Sequence, residues 1–325
     1  MKSVVEDIKK GSFKPVYLFY GEEAYLKQQY KNRLKNAVLP EGDTINLSIY
    51  SGKGIDVKEM IAQADTMPFF AEHRLLLIED SGLFKNANQQ LAEYIPSIPE
   101  ETIMLFVESE VDKRGKLYKA VSKKGSVVEF TAQNEQTLTR WILGILKTEG
   151  KMITSGAMKQ FLEKTGTDME RIRQELEKLI CYCMEKESIT EEDVAVICSE
   201  QTENKIFDMI NAMAEKKQKK AMELYYDLLA LKEPPMRILY LITRQFNLLM
   251  QVKELSEEGY SAKTISERLK MAGFIVRNCL RQAEYFSLKT LKEALQDCVR
   301  MEEAVKTGRM NDVMSVELLL VKYSS

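Results

Sequence analysis

Five short β-rich runs, separated from one another by helical patterns, occupy the first 130 or so residues, and no run of similar quality follows Phe130. The runs are 15–20, 45–50, 74–79, 102–107 and 126–130. Helix-like segments lie between them at 22–37, 56–66, 88–94 and 116–122. Strands joined by helical crossovers run parallel, so the pattern predicts an α/β domain with a mostly parallel five-stranded sheet covered by helices on both faces. Leu75-Leu76-Leu77-Ile78 and Ile103-Met104-Leu105-Phe106-Val107 are apolar without alternation, as central strands buried on two sides are.

Beyond Phe130 the periodicity changes to three and four. Residues 136–147 carry a helical pattern with the single Trp141, and Gly150 and Gly156 punctuate the next stretch. Thr167-Asp168-Met169-Glu170 reads as a capping box opening a helix that runs to about 184, and Thr190-Glu191-Glu192-Asp193 opens a shorter one. From about 203 the candidate helices are 204–216, 219–231, 235–259, 261–269, 273–285, 288–307 and 311–323. Ile238, Leu241, Ile242, Phe246 and Leu249 form a bundle stripe. Glu233-Pro234-Pro235 places proline at a helix start. The expected organisation is an α/β domain at 1–135, a small helical domain at 136–205 and a helical bundle at 206–325.

The first strand-to-helix junction is where such an α/β domain carries a phosphate loop. That loop needs glycines, so that backbone N–H groups can wrap phosphate oxygens, with a Lys for the β/γ-phosphates and a Ser/Thr for Mg²⁺. Here Val16-Tyr17-Leu18-Phe19-Tyr20 leads into Gly21-Glu22-Glu23-Ala24-Tyr25-Leu26. One glycine is followed by two carboxylates that repel phosphate and by two bulky side chains. The scaffold of a nucleotide-binding domain is expected without its chemistry, which points to a protein that works by contact.

A net charge of −2 over 325 residues sets no whole-chain preference for nucleic acid, so any DNA contact must come from a local patch. The charged opening Met1-Lys2-Ser3-Val4-Val5-Glu6-Asp7 is no signal peptide, and apolar stretches fall short of a membrane span, so a cytoplasmic protein is expected. Cys181, Cys183, Cys198, Cys279 and Cys298 make no ligand-spaced cluster, and His73 is the only histidine. Metal, triad and His-based acid–base schemes therefore lose their usual residues, and no cofactor is expected.

With these residues in view, the chain resembles the bacterial clamp-loader delta family, the delta subunits of DNA polymerase III. The resemblance rests on the order and spacing of four pieces: Val16-Tyr17-Leu18-Phe19-Tyr20-Gly21-Glu22-Glu23, Pro68-Phe69-Phe70-Ala71-Glu72-His73-Arg74-Leu75-Leu76-Leu77, Asp112-Lys113-Arg114-Gly115-Lys116-Leu117-Tyr118-Lys119, and Leu241-Ile242-Thr243-Arg244-Gln245-Phe246. It implies an AAA+-like N-terminal domain that binds no ATP, a small helical lid and a C-terminal helical collar. It also implies a non-catalytic component of the polymerase III holoenzyme that binds and opens the β sliding clamp. The implied partners are that clamp, ATP-binding gamma/tau subunits, a delta-prime subunit and primed DNA, with no membrane.

The family's clamp-binding plug sits just after the second helix and just before the third strand, and the matching residues here are Phe69 and Phe70, with Met67 as neighbour. Taken by themselves, two adjacent rings beside Pro68 fit either an anchor pair for a partner's pocket or packing into their own core; the positional match favours the anchor. Phe69 stands where the family commonly has an aliphatic residue. Glu79-Asp80 follows an apolar strand as the acidic pair of an Mg²⁺ site does, but without phosphate-loop partners it reads as a solvated strand end followed by an Asp80-Ser81-Gly82 turn. Lys113, Arg114, Lys116 and Lys119 form a basic cluster, and Arg268, Lys270, Arg277 and Arg281 dot the collar. These are candidate DNA or subunit contacts or simply solvated faces. Tyr285 and Phe286 are candidate base-stacking rings, with core packing the plainer reading. Two other functions stay open: a divergent AAA+ nucleotide-binding enzyme acting at Gly21-Glu22-Glu23, and a helical adaptor unrelated to replication.

Overall fold

The computed structural model describes residues 1–85, 88–198 and 202–324, apart from the side chain of residue 203. The chain divides into two compact units, Met1–Ala132 and Gln133–Ser325. The expected boundary between 205 and 206 falls within a continuous helix, Thr202–Ala214.

In the first unit the order is α1 (Lys2–Lys10), β1 (Val16–Tyr20), α2 (Ala24–Val38), β2 (Leu47–Ser51), α3 (Val57–Ala64), β3 (Arg74–Glu79), α4 (Gln89–Tyr94), β4 (Thr102–Glu108), α5 (Lys116–Lys124) and β5 (Ser126–Glu129). The five strands form one parallel sheet in the order β2-β3-β4-β1-β5. Successive side chains of a strand point to opposite faces, and both faces here are apolar. Val16, Leu18, Tyr20, Leu76, Ile78, Met104 and Phe106 face one way, against Met60 and Ala64 of α3, Leu91 and Ala92 of α4, and Leu117 and Val121 of α5. Tyr17, Phe19, Leu75, Leu77, Ile103, Leu105 and Val107 face the other way, against Val4 of α1 and Leu34 and Val38 of α2. All five residues of β1 and all seven of β4 are buried, which is why these strands read as continuous apolar runs.

α1 has no counterpart among the expected elements. Its apolar contribution is confined to Val4 and Ile8, too sparse for a periodic signal, and tertiary contacts hold it: the Tyr17 hydroxyl donates to Asp7 Oδ2 at 2.9 Å, and Gly11 ends the helix in the left-handed conformation.

The second unit comprises α6 (Glu135–Thr148), β6 (Met152–Ile153), α7 (Ser155–Thr165), α8 (Met169–Tyr182), β7 (Ser188–Ile189), α9 (Glu191–Ile197), α10 (Thr202–Ala214), α11 (Gln218–Ala230), α12 (Pro235–Glu257), α13 (Ala262–Leu269), α14 (Gly273–Ala283), α15 (Leu288–Lys306) and α16 (Asp312–Ser324). A two-residue parallel pair, β6 with β7, interrupts what was expected to be a purely helical stretch. The N-cap of α8 is Asp168, whose side chain accepts from the Arg171 amide, rather than Thr167; with Arg171 at the third helical position the reciprocal half of the expected capping box has no acceptor. Ile206, Met209, Leu224, Tyr225, Ile238, Ile242, Phe246, Leu249, Leu291, Val316 and Leu320 share one buried cluster across α10, α11, α12, α15 and α16.

Candidate functional site

The segment between α3 and β3 carries the chain's most exposed aromatic side chain. Phe70 is 94% exposed, Met67 68% and Phe69 56%, whereas Phe19, Phe84 and Phe106 of the same unit are buried. The two rings meet edge to face with centroids 4.5 Å apart. Met67, Phe69 and Phe70 are thus brought together, and outside the core.

The segment is held from beneath. Phe69 N–H donates to Asn46 Oδ1 at 2.7 Å, and Asn46 Nδ2 donates to the Phe69 carbonyl at 2.9 Å and to Asp43 Oδ2 at 2.8 Å. Asn46 is 1% exposed and precedes β2. Asp43 also accepts from the Ile45 and Asn46 amides through Oδ1, and the hydrogen bonds from Asn46 hold its carboxyl below the usual carboxylate range. Arg74, 5% exposed at the start of β3, donates from Nη2 to the Met67 carbonyl at 3.4 Å. Phe70 takes φ +50°, a left-handed conformation that is an outlier for a bulky residue and persists only where the surroundings over-determine it.

At the first strand-to-helix junction the Glu23 and Tyr25 amides are engaged within the fold. Glu23 N–H donates to the Phe130 carbonyl at 3.1 Å, and Phe130 N–H donates to the Tyr20 carbonyl at 2.7 Å. Gly21, at φ +120°, packs so closely on Phe130 that a Cβ would collide with its carbonyl oxygen. The Glu23 side chain caps α2 by accepting from the Tyr25 amide. In an open α/β sheet the ligand crevice lies at the carboxyl ends of the strands. Here two lysines of α2 reach those ends: Lys27 Nζ donates to the Glu108 carbonyl at 3.1 Å, and Lys31 Nζ pairs with Glu79 Oε1 at 2.7 Å. Burial pushes the Lys27 ammonium pKa down. Glu108 is buried, accepts from Ser81 Oγ and from the Ser81 and Gly82 amides, and has its pKa pushed up by burial. The expected solvated reading of Glu79 is corrected: its carboxylate is tied to Lys31, while Asp80 is exposed and accepts from Ser109 Oγ. Lys27 and Lys31 were invisible as site residues because only the fold turns their helix face toward the strand ends.

The basic candidates do not form one patch. Lys113 is paired with Glu129 at 2.9 Å and lies over the Tyr20 ring, which raises its ammonium pKa; Arg114 turns back to Asp112; Lys116 and Lys119 are exposed on the first turn of α5. In the second unit Arg277 pairs with Glu135 at 3.2 Å, with Gln136, Thr139 and Arg140 lining the same open depression. Arg281 bonds Asn278, and Arg268 lies over Tyr260 with its guanidinium carbon 3.8 Å from the ring centroid. Lys270 is exposed, at the C-cap of α13. Tyr285 is 60% exposed, against the core reading, whereas Phe286 packs on Phe246. Among the described residues no cluster of His, Cys, Asp and Glu suits a metal ion, and no helix is long and apolar enough to cross a membrane.

Comparison with known proteins agrees with this architecture along the whole chain. Residues 17–131 match the family model for the DNA polymerase III delta subunit, and residues 203–323 match that for its C-terminal domain. The DNA polymerase III subunit delta of Bacillus subtilis is 30% identical, over 98% of this chain and 95% of the relative. A probable subunit delta of Aquifex aeolicus is 21% identical over 75% of this chain and 72% of the relative. Among solved structures, the Bacillus subtilis DNA clamp loader delta protein (YqeN) superposes with a TM-score of 0.69 at 30% identity, covering 99% of each chain.

Proposed function

Because this chain belongs to the DNA polymerase III delta subunit family, the clamp-loader delta subunits, we propose that it binds the β sliding clamp by inserting Phe69 and Phe70, with Met67 beside them, into an apolar pocket of the clamp. The observation that carries this reading is the exposure of both rings on a segment tied down at each end. Burying an exposed Phe ring is worth about 2 kcal/mol, and an aromatic anchor in a pocket is the usual form of an interface hot spot.

Opening of the clamp rests on differential affinity: a ligand shifts an equilibrium only by binding one state more tightly. The plug would favour the clamp state with one interface sprung. ATP bound to gamma/tau subunits would expose the plug, and hydrolysis there would retract it. The subunit itself is read as non-catalytic, since its phosphate-loop position offers carboxylates and engaged amides. The division into an AAA+-like domain at 1–135, a lid at 136–205 and an oligomerising collar at 206–325 draws support from the two matched stretches, 17–131 and 203–323. Contact with delta-prime and primed DNA in the cytoplasm belongs to the same reading. Lys113, Arg114, Lys116, Lys119, Arg277 and Arg281 are its candidate contacts, with the exposed Lys116 and Lys119 best placed among those of the first unit.

Surface-captured β clamp, titrated with wild type and with a Phe69→Ala/Phe70→Ala variant shown to be folded by circular dichroism, tests the proposal. Loss of binding of about 100-fold or more in the variant is expected. Equal binding by the two would remove the plug assignment, and no binding by wild type would remove the clamp itself.

A further inference from the structure

The exposed rings need an explanation of their own, since an apolar side chain left in water normally folds back onto the nearest apolar surface. Phe70 instead stands out at φ +50°, and what holds its predecessor is one buried side chain. Asn46 satisfies both backbone groups of Phe69 at once, donor to acceptor and acceptor to donor. The orientation of its amide is determined: reversing it would set Nδ2 against the Phe69 N–H and Oδ1 against two acceptors, the Phe69 carbonyl and the Asp43 carboxylate. No other uncharged side chain of this length offers that pair of groups, and an aspartate would place a carboxylate against two acceptors.

We propose that Asn46 is a positioning residue for clamp binding, which clasps Phe69 so that the Phe69–Phe70 pair is pre-organised outside the core. This rests on the plug reading above. The clasp reaches 23 residues along the chain, from the approach to β2 to the segment before β3. Asp43 backs it from outside and the Arg74–Met67 contact steadies the segment's other end. If removing the clasp lets the rings occupy the binding geometry only a tenth of the time, apparent affinity falls about tenfold, because the measured constant is divided by the competent fraction.

The test is Asn46→Asp, which leaves no cavity and replaces the amide donor by a carboxyl oxygen facing the Phe69 carbonyl and the Asp43 carboxylate. Stability in urea, hydrogen exchange at the Phe69 amide in the free protein, and affinity for the captured clamp are measured together, in the wild-type and in a Phe70→Ala background. A folded variant is expected to exchange faster at Phe69 and to bind about tenfold more weakly, with a smaller loss in the Phe70→Ala background, where there is less to position. Wild-type affinity in a folded Asn46→Asp variant, or the same loss in both backgrounds, overturns the positioning role while leaving the plug intact. Failure of wild type to bind defeats the plug reading itself and is seen in the first titration. Should Asn46→Asp unfold, Asp43→Ala keeps both Asn46–Phe69 hydrogen bonds and removes what Asp43 accepts from the Asn46 side chain and from the Ile45 and Asn46 amides: a loss of threefold or more sustains the proposal, and a smaller loss ends it.

Discussion

Lys31 of α2 and Glu79 at the end of β3 form an ion pair of 2.7 Å, with Lys31 the more deeply buried of the two: its side chain is 10% exposed against 28% for Glu79. The pair bridges a helix and a strand end where the parallel sheet would otherwise open to a ligand. Breaking such a pair costs more through the charge left behind than through the attraction lost. Glu79→Ala, which orphans the buried ammonium, is therefore expected to destabilise the first unit by about 2 kcal/mol, and Lys31→Met by roughly half that, since its carboxylate partner can turn to solvent. Urea unfolding of both variants reads the order; Lys31→Met proving the worse would show that the pair does not act through lysine burial.

Gly21 fills the one glycine position of the junction for a steric reason. Its φ of +120° is closed to L side chains, and a Cβ would strike the Phe130 carbonyl. Gly21→Ala should lower stability by about 3 kcal/mol or more, combining backbone strain with displacement of β5 from β1. A denaturation midpoint within error of wild type would show that the junction yields more easily than its packing indicates.

Phe70→Gly separates stability from binding. Glycine accepts φ +50° without strain, and a ring 94% exposed gives up little packing, so the folded state should stay within about 1 kcal/mol of wild type. Clamp affinity should nonetheless fall by about 100-fold. Thermal melts and surface capture on the same sample check both halves, and retained affinity would place the anchor elsewhere.

Acid should loosen the second unit through Asp193. The Lys186 ammonium beside it, together with the Thr190 amide and hydroxyl, holds its carboxyl at about 2 against an ordinary 3.8. A depressed carboxylate stabilises the fold fully above its ordinary value, and that contribution disappears as the pH falls from about 4 to about 2. Asp193→Asn should cost about 1 kcal/mol at pH 7, a figure discounted for an ion pair whose lysine is exposed, and should cost progressively less as the pH drops through that window. Stability curves of wild type and variant that stay parallel down to pH 2 would remove Asp193 from the acid response.

Much of the first unit's fold was legible because buried parallel strands advertise themselves. Residues 74–79 coincide with β3 and the other four runs depart from their strands by one or two residues: β1, β3 and β4 are apolar on both faces, and the edge strands β2 and β5 are short β-rich runs bounded by turns. The capping residue of α8 was misplaced by one, because Thr167 and Asp168 are both competent caps and only backbone geometry chooses between them. α1 was missed because only Val4 and Ile8 mark its packed face, and the β6–β7 pair because two-residue strands cannot show a period.

The sequence by itself determined the strand and helix periodicities, the vacancy at the phosphate-loop position and the place in the chain where a plug would sit. All of these are local properties, written in residue types a few positions apart. Whether Phe69 and Phe70 point into the core or into water was a different kind of question. Its answer depends on Asn46, 23 residues earlier, reaching the Phe69 backbone, and on Arg74 reaching Met67. The closure of the sheet's mouth by Lys27 and Lys31 likewise exists only once α2 lies against β3 and β4. Tertiary structure decided these points because a side chain's burial and its hydrogen-bond partners are set by whatever the fold brings against it, and distance along the chain does not encode that.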